Sequence, residues 1–494
     1  MSVRVRYAPS PTGLQHIGGI RTALFNYFFA KANNGSFILR IEDTDQSRYQ
    51  EEALDDLYST LKWLKIEWDE GPVVGGPFGP YKQSQRIALY QEYANKLVQE
   101  GKAYRCYCTN ERLDALREQQ TKEKTKIQGY DRHCRSLTDS QRTELEKEGK
   151  EYVIRFKIPL SGKTTFTDLL MGPITRSNTD ISPDPIILKS DGFPTYHLAN
   201  VIDDHFMEIT HIMRAQEWIP SAPLHLLLYE AFGWKIPKLC HLPMVMGSDG
   251  QKLSKRHGST AVRDFRNEGY LAEALLNYVS LVGWSYDGER EFFTKEELKV
   301  LFSLEKISKA PGVFDYKKLQ WFNGHYIRLK SDEQLMQLLL PYLIEANYVS
   351  KEPTNEQLNK VRLLVPLVKE RLKVLSDVVA MVGFLFEEIK EMQASSLIPK
   401  KMGPKETIEV LERSLPIISE IESCTNEEIE ERLLKLSEEL NLKTNGVFMP
   451  LRVALTGSLV SPPLLDSMRL LGIEKTIARI KRAITILINE VNNG

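Results

Sequence analysis

The chain has 494 residues, which is too long for one hydrophobic core and predicts roughly three to four domains. Its 42% hydrophobic and 27% charged residues are ordinary for a folded, soluble protein. The net charge of −1, from 65 basic and 66 acidic side chains, excludes a purely electrostatic nucleic-acid binder but not a local basic surface.

Neither the N-terminal sequence nor any apolar run predicts export or a membrane span. The N-terminus has no apolar core and no small-residue cleavage site, and no apolar run reaches membrane-spanning length. Five cysteines are an odd number in a large chain, so a reducing cytosol is expected rather than a disulfide scaffold. We therefore expect a cytoplasmic protein without a membrane partner.

The first predicted element is a strand that leads through a glycine-bearing loop into a helix. Apolar and polar residues alternate over residues 3–7, and Pro9 and Pro11 prevent the strand from continuing. A helical pattern covers residues 20–32, and a second alternating strand covers residues 36–41. Strand, loop, helix and strand in this order are typical of the opening of a nucleotide-binding α/β unit.

An insertion is predicted from about residue 104 to residue 178, where this alternation breaks. It contains three of the five cysteines, a charged helical piece over residues 110–126 and short strands such as residues 152–158. Strands then resume at residues 186–189, 209–213 and 242–246, before the turn Gly247-Ser248-Asp249-Gly250. The sheet that begins at the N-terminus is expected to close there.

The pattern after about Ala261 is almost wholly helical. One apolar stripe marks the last helix and consists of Ile473, Ile477, Ile480, Ile484 and Leu487. We expect Lys475, Arg479 and Arg482 to lie away from that stripe. The predicted layout is a split α/β domain with an insertion, followed by helical domains.

The first motif that can handle phosphate is His16-Ile17-Gly18-Gly19, between the first strand and the first helix. Its glycines let the backbone approach a ligand closely, and the helix that follows offers free N–H groups and a positive dipole end. His16 can donate a hydrogen bond to a phosphate oxygen, or it can simply cap a tight turn. The tetrapeptide alone does not decide between these two roles.

The second such motif is Lys252-Leu253-Ser254-Lys255-Arg256, after the last predicted strand. Two lysines three positions apart in a polar loop can reach a triphosphate and neutralise charge as pyrophosphate leaves. The alternative is an ordinary solvated basic loop.

Together the two motifs resemble those of the class I aminoacyl-tRNA synthetases, which are written HIGH and KMSKS. One motif opens the first strand–helix unit and the other lies just beyond the last strand, as in that class. Gly19 stands where many members have a second histidine, a position at which glutamyl enzymes commonly vary.

Further blocks make the chain resemble the bacterial-type glutamyl-tRNA synthetases over nearly its whole length. These blocks are Ala8-Pro9-Ser10-Pro11-Thr12-Gly13, Arg40-Ile41-Glu42-Asp43-Thr44-Asp45, Tyr196-His197-Leu198-Ala199-Asn200, Arg214-Ala215-Gln216-Glu217-Trp218 and Arg452-Val453-Ala454-Leu455-Thr456-Gly457. The resemblance implies an α/β, Rossmann-type catalytic domain with a connective insertion, followed by all-α stem-contact and anticodon-binding domains. The implied boundaries are 1–103 and 186–250 for the catalytic domain, 104–185 for the insertion, 251–325 for the stem-contact domain and 326–494 for the anticodon-binding domains.

The resemblance implies that L-glutamate is the amino acid. Guanidinium groups bind carboxylates through paired, charge-assisted hydrogen bonds, and this role falls to Arg6 and Arg214. Two arginines would hold glutamate and penalise neutral glutamine, unless each arginine instead forms a structural ion pair with Asp43, Asp203 or Asp204. The other implied contacts are Ala8, Ser10, Glu42 for the ammonium group, Tyr196 and Asn200.

The implied reaction is ATP-dependent activation of glutamate followed by transfer to tRNA(Glu). The α-carboxylate attacks the α-phosphorus of ATP, which requires alignment and electrostatic stabilisation, with Mg²⁺ spreading the phosphate charge. The 2′-hydroxyl of the terminal adenosine then attacks the activated carbonyl, and family members typically activate glutamate only with tRNA present. The resemblance assigns ATP binding to His16, Gly18, Gly19, Leu253 and Lys255, and catalysis to His16, Lys252 and Lys255.

Cys106, Cys108 and Cys134 predict a structural zinc site within the insertion. Two closely spaced thiols followed by a third suit tetrahedral zinc, which needs a fourth ligand. By resemblance that ligand is Tyr130, four residues before the last cysteine, since Ser136 replaces the histidine that some relatives use. His133 is a local substitute. The alternative is three partly buried free thiols, and the isolated Cys240 and Cys424 are expected in the core.

The remaining predictions concern tRNA and assembly. By resemblance the insertion holds the acceptor end, and the helical C-terminal half reads the anticodon. The candidates there are the helix around Lys369-Glu370-Arg371 and the final basic helix, with an ordinary solvated surface as the alternative for each residue. A monomer is expected, and tRNA(Gln) stays open as a second substrate.

Three other functions compete with this interpretation. They are a small-molecule adenylyltransferase with a similar His-x-Gly motif, a shorter tRNA-modifying relative without an anticodon domain, and a catalytically silent tRNA-binding protein. The long helical half opposes the first two, and the intact His16, Lys252 and Lys255 oppose the third.

Overall fold

The computed structural model describes residues 2–124, 129–389 and 392–493. The chain divides into two compact units, one built from residues 1–267 and 272–319 and the other from residues 268–271 and 320–494. All strands of the described residues belong to the first unit, and the second unit is built from helices.

Strands and helices alternate over the first half of the chain, and helices succeed one another after it. The strands of the described residues are β1 (Arg4–Tyr7), β2 (Ser36–Leu39), β3 (Ala103–Cys106), β4 (Val153–Phe156), β5 (Lys163–Asp168), β6 (Gly172–Ser177), β7 (Ile186–Leu188), β8 (His211–Ala215), β9 (Lys238–Leu242), β10 (Val245–Met246) and β11 (Gly312–Val313). The helices of the first unit are α1 (Ile17–Ala32), α2 (Glu51–Trp63), α3 (Ile87–Gln99), α4 (Asn110–Lys122), α5 (Asp139–Lys147), α6 (Tyr196–Phe206), α7 (Ala222–Phe232), α8 (Val262–Glu268), α9 (Ala272–Leu281) and α10 (Lys295–Leu301).

The remaining helices of the described residues belong to the second unit from Gln320 onward. They are α11 (Tyr316–Arg328), α12 (Asp332–Glu345), α13 (Asn355–Lys369), α14 (Asp377–Val382), α15 (Ala394–Leu397), α16 (Pro404–Ser419), α17 (Asn426–Glu439), α18 (Thr444–Thr456), α19 (Leu464–Leu471) and α20 (Ile473–Asn493). The prediction of an almost wholly helical pattern after Ala261 is therefore confirmed, with β11 as the exception in the described part of the chain.

Parallel strands form the centre of the first unit. β1 pairs with β2 from Arg4 opposite Ser36 to Tyr7 opposite Leu39, and β8 pairs with β9 in the same parallel sense. The amide of Thr210, just before β8, donates to the carbonyl of Arg4 at 3.0 Å, which brings β8 beside β1. The predicted strand–loop–helix–strand opening is thus confirmed, with α1 as the crossover between β1 and β2.

Helix α1 is hydrophobic on nearly all sides, as expected for a helix that crosses the interior of an α/β unit. Its fully buried side chains include Ile17, Ile20, Leu24, Phe25 and Phe28. The helix therefore packs between the strands and the helices that follow them, and it fixes the position of the loop at its own N-terminus.

The predicted insertion contains an antiparallel sheet in the order β3-β4-β7 and the regular hairpin β5-β6. The hairpin joins the larger sheet because Asp168, at the end of β5, pairs with Leu239 of β9. Helix α4 ends at Lys122, three residues before the described part of the chain is interrupted, so the rest of the predicted helical piece at residues 110–126 lies partly outside the described residues.

One strand prediction is wrong. Residues 242–246 do not form a single strand: β9 ends at Leu242 and β10 starts at Val245. Pro243 separates the two strands because proline has no N–H to donate to a ladder. The apolar residues on both sides of Pro243 made the segment resemble one strand. The strand at Lys238–Leu242 was not predicted, because its sequence includes a cysteine and a histidine.

The apolar stripe of the last helix is buried as predicted at Ile480, Ile484 and Leu487. Arg479, however, does not lie on a solvated face. It is 6% exposed, and its Nη1 donates to the carbonyl of Leu455 at 2.8 Å. The guanidinium satisfies carbonyl groups inside the unit, so the solvated surface that the sequence left as the alternative for this helix does not apply to Arg479.

None of the helices within the described ranges combines the length and apolarity needed to cross a bilayer.

Candidate functional site

A cleft of about 820 Å³ opens where β1 and β8 end. Its walls come from the loop after β1, the N-terminus of α1, the segment after β2, the start of α6 and the segment after β10. The residues predicted from the sequence that line it are Arg6, Ala8, Ser10, His16, Gly18, Gly19, Glu42, Tyr196, Asn200, Arg214, Lys252 and Leu253. Lys255, although the structure describes it, does not line the cleft.

His16 caps the N-terminus of α1. Its Nδ1 accepts a hydrogen bond from the amide of Gly18 at 3.0 Å, so a neutral ring carries its proton on Nε2. Burial lowers the pKa of His16, and the nearby Lys252 lowers it further. The two roles left open by the sequence are therefore compatible, because the cap uses Nδ1 and leaves an Nε2–H to donate to a phosphate oxygen.

The backbone joins the His16 loop to the segment that follows the second motif. The amide of Ile17 donates to Thr260, and the amide of Val262 donates to Gln15, both at 2.9 Å. His16 and Ala261 face each other in an isolated antiparallel bridge. The first motif and the segment just after the second motif, more than 200 positions apart in sequence, are thus held together by main-chain hydrogen bonds.

Gly19 is fitted against a fixed tyrosine. A Cβ at this position would lie 3.1 Å from the hydroxyl of Tyr7. That hydroxyl is held because it donates to Gln15 Oε1 at 2.9 Å, and the Gln15 amide in turn donates to Asp56 at 2.7 Å. The absence of a second histidine at this position therefore has a steric reason in this chain.

The second motif places its two lysines differently. Lys252 lines the cleft, and its Nζ lies 2.6 Å from the Glu217 carboxylate. Both side chains are exposed, and such pairs contribute only about 0–1 kcal/mol, so a triphosphate could replace Glu217 as the partner of Lys252. Leu253 is buried and anchors the loop through its amide, which donates to Val245 at 3.0 Å, whereas Lys255 is exposed.

Arg6 is neutralised by an aspartate. Its Nε and Nη2 donate to the two oxygens of Asp204 at 3.0 and 3.3 Å, and both residues are buried. Asp204 also accepts from Arg40 at 2.7 Å. The structural ion pair that the sequence left open for Arg6 is therefore present, although Arg6 still lines the cleft.

The buried charges around Arg6 balance one another. Arg86 pairs with Asp203 at 2.7 Å, and Arg40 donates to Glu42 at 3.0 Å. The guanidinium groups of this cluster are those of Arg6, Arg40 and Arg86, and its carboxylates are those of Glu42, Asp203 and Asp204. Three positive and three negative side chains leave the cluster neutral.

Arg214 has no such compensation. It is 5% exposed, and it has no carboxylate at ion-pair distance among the residues the structure describes. Its Nε donates to His241 at 3.1 Å, and its Nη1 lies 3.1 Å from His225 Nδ1 and 3.5 Å from the Tyr196 hydroxyl. The buried Nη2 has no hydrogen-bond partner in the described chain, which costs about 1–3 kcal/mol or more for a charged group.

Two polar groups near Arg214 can bind a cation. Burial raises the pKa of Glu42, and the guanidinium groups of Arg40 and Arg6 offset part of that rise. Asn200 is 1% exposed, donates from Nδ2 to Glu42 at 3.4 Å and to Tyr196 at 3.3 Å, and leaves its buried Oδ1 without a partner in the described residues. A carboxylate and an unpartnered amide oxygen suit an ammonium group.

The cysteine cluster has the geometry of a metal site. The sulfurs of Cys106, Cys108 and Cys134 lie within 4.8 Å of one another, with Cys108 and Cys134 3.5 Å apart. A tetrahedral zinc with Zn–S bonds of about 2.3 Å needs sulfurs roughly 3.8 Å apart. The Tyr130 hydroxyl lies 3.3 Å from Cys106 and 3.7 Å from Cys108, so the donor set of three thiols and one phenol fits zinc.

The other sulfur and imidazole predictions have mixed outcomes. His133 is exposed and does not belong to the group of candidate ligands found in the described residues. Cys240 is fully buried as expected. Cys424 is only half-buried, in the turn between α16 and α17, so its prediction as a core residue is wrong.

Several residues of the site were given no role by the sequence analysis. The imidazoles of His225 and His241 contact Arg214 directly, and Trp218 packs on Tyr196 with ring centroids 4.4 Å apart. His225 has apolar residues on both sides in α7, which is the one signal that could have indicated a buried polar contact. Nothing in the sequence around His241 distinguishes it from an ordinary strand residue.

Two family models match this chain. Residues 2–321 match the model described as tRNA synthetases class I (E and Q), catalytic domain, and residues 334–484 match an anticodon binding domain.

Similar proteins cover almost the whole chain. A glutamate–tRNA ligase of Borreliella burgdorferi is 56% identical over 491 residues, which is 99% of this chain and 100% of that protein. One of Treponema denticola is 51% identical and covers 98% of this chain and 99% of its own length. The crystal structure of a glutamate tRNA ligase from Elizabethkingia meningosepticum in complex with its amino acid has a TM-score of 0.82 at 36% identity, and the match covers 99% of this chain and 100% of that one.

Proposed function

This chain belongs to the class I glutamate–tRNA ligases, and we propose that its cleft activates L-glutamate with ATP and transfers it to the 3′-terminal adenosine of tRNA(Glu). The adenylyltransferase and the shorter tRNA-modifying relative are disfavoured, because residues 334–484 match an anticodon-binding domain. The catalytically silent tRNA-binding protein is disfavoured because His16 and Lys252 line one cleft.

The assignment of glutamate as the amino acid rests on the uncompensated charge of Arg214. The buried cluster around Arg6 is neutral, whereas the Arg214 guanidinium has no carboxylate partner in the described residues. Arg21, another buried arginine of the cleft, is held instead by the backbone carbonyls of Val282 and Pro243. The side-chain carboxylate of L-glutamate complements the charge of Arg214, and its ammonium group complements Glu42. Glutamine has no side-chain charge and would leave the Arg214 guanidinium buried without an anion.

The remaining groups of glutamate have partners in the same wall of the cleft. Glu42 and the free Oδ1 of Asn200 bind the ammonium group, because both are acceptors and one is a carboxylate. The Tyr196 hydroxyl contacts both Asn200 and Arg214. It therefore fixes the position of the ammonium-binding group relative to the carboxylate-binding group. Ala8 and Ser10 line the cleft after β1 and complete the pocket.

ATP is bound where the two motifs meet. His16 donates its Nε2–H to a phosphate oxygen, and Gly18 and Gly19 let the triphosphate approach the N-terminus of α1. Lys252 leaves Glu217 for the phosphates, and Leu253 holds the backbone of the loop. Lys255, which is exposed and does not line the cleft, moves toward the triphosphate when ATP binds.

The chemistry is nucleophilic attack without a general base. An oxygen of the glutamate α-carboxylate, already ionised, forms a bond to the α-phosphorus, and the bond from that phosphorus to the bridging oxygen of pyrophosphate breaks. His16 and the two lysines stabilise the charge on the leaving pyrophosphate. Mg²⁺, when bound with ATP, spreads the charge of the phosphate oxygens. The 2′-hydroxyl of the terminal adenosine of tRNA then attacks the activated carbonyl; the bond from that carbonyl carbon to the adenylate phosphate oxygen breaks, AMP leaves, and the hydroxyl proton passes to the departing phosphate.

Zinc is assigned to the cysteine cluster in a structural role. Cys106, Cys108 and Cys134 would hold it as thiolates, with Tyr130 as the fourth ligand. Two cationic side chains favour the deprotonated ligands: Arg112 lies 3.6 Å from the Cys108 sulfur, and the guanidinium carbon of Arg155 lies 3.8 Å from the centre of the Tyr130 ring.

The tRNA is assigned to two parts of the chain. The insertion at residues 104–185 takes the acceptor end, and the helical residues 326–494 read the anticodon, which the match to an anticodon-binding domain supports. The enzyme acts as a monomer in the cytoplasm, where reducing conditions keep its cysteines from forming disulfides. A second substrate would be tRNA(Gln). Charging purified tRNA(Glu) and tRNA(Gln) side by side decides whether the enzyme glutamylates both.

ATP–pyrophosphate exchange tests the proposed function. The wild-type enzyme should exchange labelled pyrophosphate into ATP far faster in the presence of glutamate than of glutamine. This exchange should occur only when tRNA(Glu) is present. Arg214→Ala should lose the glutamate-dependent exchange by about a hundredfold or more, since it removes the anion's partner. An Arg214→Ala enzyme with unchanged affinity for glutamate would overturn the assignment of that residue, and glutamate-independent exchange would overturn the function.

A further inference from the structure

Neutral imidazoles on two sides hold the guanidinium of Arg214. His241 Nε2 accepts from Arg214 Nε at 3.1 Å, and His225 Nδ1 lies 3.1 Å from Arg214 Nη1. The histidines are 0% and 4% exposed, so both contacts lie inside the protein. An arginine that must bind a carboxylate is thus fixed by groups that cannot neutralise it.

The protonation of His241 follows from its second partner. Its Nδ1 lies 2.7 Å from Asp168, whose carboxylate also accepts from the amides of Leu170, Met171 and His241. Although burial opposes ionisation, these hydrogen bonds hold the pKa of Asp168 below its ordinary value. Nδ1 therefore carries the proton, and Nε2 offers its lone pair to Arg214. The imidazole ring of His241 thus lies between the negative charge of Asp168 and the positive charge of Arg214.

The protonation of His225 follows in the same way. Because its Nδ1 faces an N–H of Arg214, the proton lies on Nε2, which is 3.0 Å from His197 Nδ1. Burial and the Arg214 charge hold the pKa of His225 well below its ordinary value. A protonated ring would direct a second positive charge at the guanidinium, so only the neutral form fits.

We propose that His225 and His241 are positioning residues for amino-acid selection: they orient Arg214 while leaving its charge, and its Nη2, to the side-chain carboxylate of the substrate. This inference rests on the proposed function, in which Arg214 is the anchor of glutamate. Its consequence is specific. A carboxylate at either position would still accept the hydrogen bond but would cancel the charge that distinguishes glutamate from glutamine.

A matched pair of variants at one position separates orientation from charge. In His225→Asn, the amide oxygen replaces Nδ1 as a neutral acceptor, whereas in His225→Asp the acceptor is negatively charged. The probe is ATP–pyrophosphate exchange with glutamate and with glutamine, in the presence of tRNA(Glu), read as the ratio of the two kcat/KM values. His225→Asn should keep most of the wild-type ratio, and His225→Asp should lower it by about tenfold to a hundredfold through a higher KM for glutamate. The KM for ATP should stay the same in both.

His211→Leu is the control for a merely structural effect. His211 lies on β8, three residues before Arg214, is also buried and hydrogen-bonds Thr210 instead of Arg214. Its removal should lower the melting temperature without changing the ratio. If His211→Leu changed the ratio as much as His225→Asp, packing alone would explain the effect and the inference would be overturned.

Arg214→Ala distinguishes failure of the inference from failure of the proposed function. If that variant loses glutamate selection while His225→Asp keeps the wild-type ratio, the inference is overturned and the proposed function stands. If Arg214→Ala itself keeps glutamate affinity, the anchor is wrong and both fall. Should His225→Asp prove unstable, His241→Gln and His241→Leu give the same comparison at the other contact: the neutral acceptor should retain selection, and loss of the acceptor should raise the KM for glutamate. Equal KM values in those two variants would overturn the inference.

Discussion

The two arginines assigned to glutamate, Arg6 and Arg214, differ in what neutralises them. Arg6 shares Asp204 with Arg40 inside a balanced cluster, whereas the side chains that hydrogen-bond Arg214 within the described part of the chain are neutral. Arg6 is therefore held mainly by the protein, and Arg214 is the arginine that gains most from a substrate carboxylate. Removal of Asp204 should affect stability, and removal of Arg214 should affect substrate choice.

Asp204→Ala should destabilise the first unit by about 3–5 kcal/mol, because it leaves the buried Arg6 and Arg40 with an uncompensated charge. The free energy of unfolding of the first unit is measured by urea titration, and its unfolding transition is identified as the one at which the ATP-dependent activity is lost. Asp114→Ala is the control, since Asp114 pairs with Arg117 on the surface and should contribute less than about 1 kcal/mol. Equal effects from the two substitutions would contradict the role of the buried cluster.

Lys255→Ala should lower the rate of adenylate formation by about a hundredfold or more while glutamate affinity stays nearly constant, because the lysine acts only on the departing phosphates. Single-turnover kinetics and ligand titration separate the two quantities. Arg256→Ala, which removes the neighbouring exposed cation paired with Asp249, should have a much smaller effect on the rate. Parallel losses of rate and of glutamate affinity in Lys255→Ala would count against its role.

At the scale of single residues, the sequence predicted the groups that face the substrate better than those behind them. His16, Arg214 and Asn200 lie in recognisable blocks, and all three line the cleft. The contacts of Arg214 with His225 and His241 could not be predicted, because β9 and α7 come together only through packing. The ion pair of Arg6 with Asp204 was left open among three aspartates, and only the geometry selects one.

The elements that carry the two phosphate motifs are joined by the backbone. Residues 15–17 and 260–262 exchange main-chain hydrogen bonds, so the N-terminus of α1 and the segment before α8 keep a fixed spacing. Sequence patterns located both motifs and placed them at the end of strands. They did not reveal this contact, because an isolated bridge has no periodicity. The break at Pro243 was missed for a related reason, since apolar residues continue on both sides of it.

The cysteine cluster should hold one zinc per chain after dialysis, since three sulfurs and the Tyr130 hydroxyl converge on one point. Metal analysis by mass spectrometry measures the stoichiometry. Cys134→Ser should lose most of the metal and lower the melting temperature of the insertion, and Tyr130→Phe should bind zinc more weakly while keeping three ligands. Substoichiometric zinc in the wild-type protein would favour three free thiols instead.

Buried neutral histidines make the first unit sensitive to acid. Burial is the main cause that lowers the pKa of His197 and of His211 to about 4, with the charges of Arg214 and Lys238, respectively, as the second cause. The unfolded chain binds these protons near pH 6.5, so the free energy of unfolding should fall as the pH drops from about 6.5 to about 4. Denaturant unfolding at several pH values should show this decline, and it should be shallower in His211→Leu. An identical pH dependence in the variant would refute the contribution of His211.

The whole molecule combines an α/β unit that carries the cleft with a helical unit that matches an anticodon-binding domain. This division was predictable, because alternating strands and helices give way to helices alone along the sequence. The β5–β6 hairpin was harder to assign: it lies within the predicted insertion, yet it joins the sheet of β8 and β9 through a single bridge at Asp168. That bridge also places the Asp168 carboxylate behind His241 and links the hairpin to the orientation of Arg214.

The proposed activity requires one cleft in which the imidazole of His16 and the ammonium of Lys252 act on the same nucleotide. A crystal structure of the enzyme with tRNA(Glu), L-glutamate and a non-hydrolysable ATP analogue is the most direct measurement. It should show His16 Nε2 and Lys252 Nζ within hydrogen-bond distance of one triphosphate, with Arg214 Nη2 on the side-chain carboxylate of glutamate. A triphosphate bound away from either group, or a glutamate side-chain carboxylate that does not contact Arg214, would contradict the proposed activity.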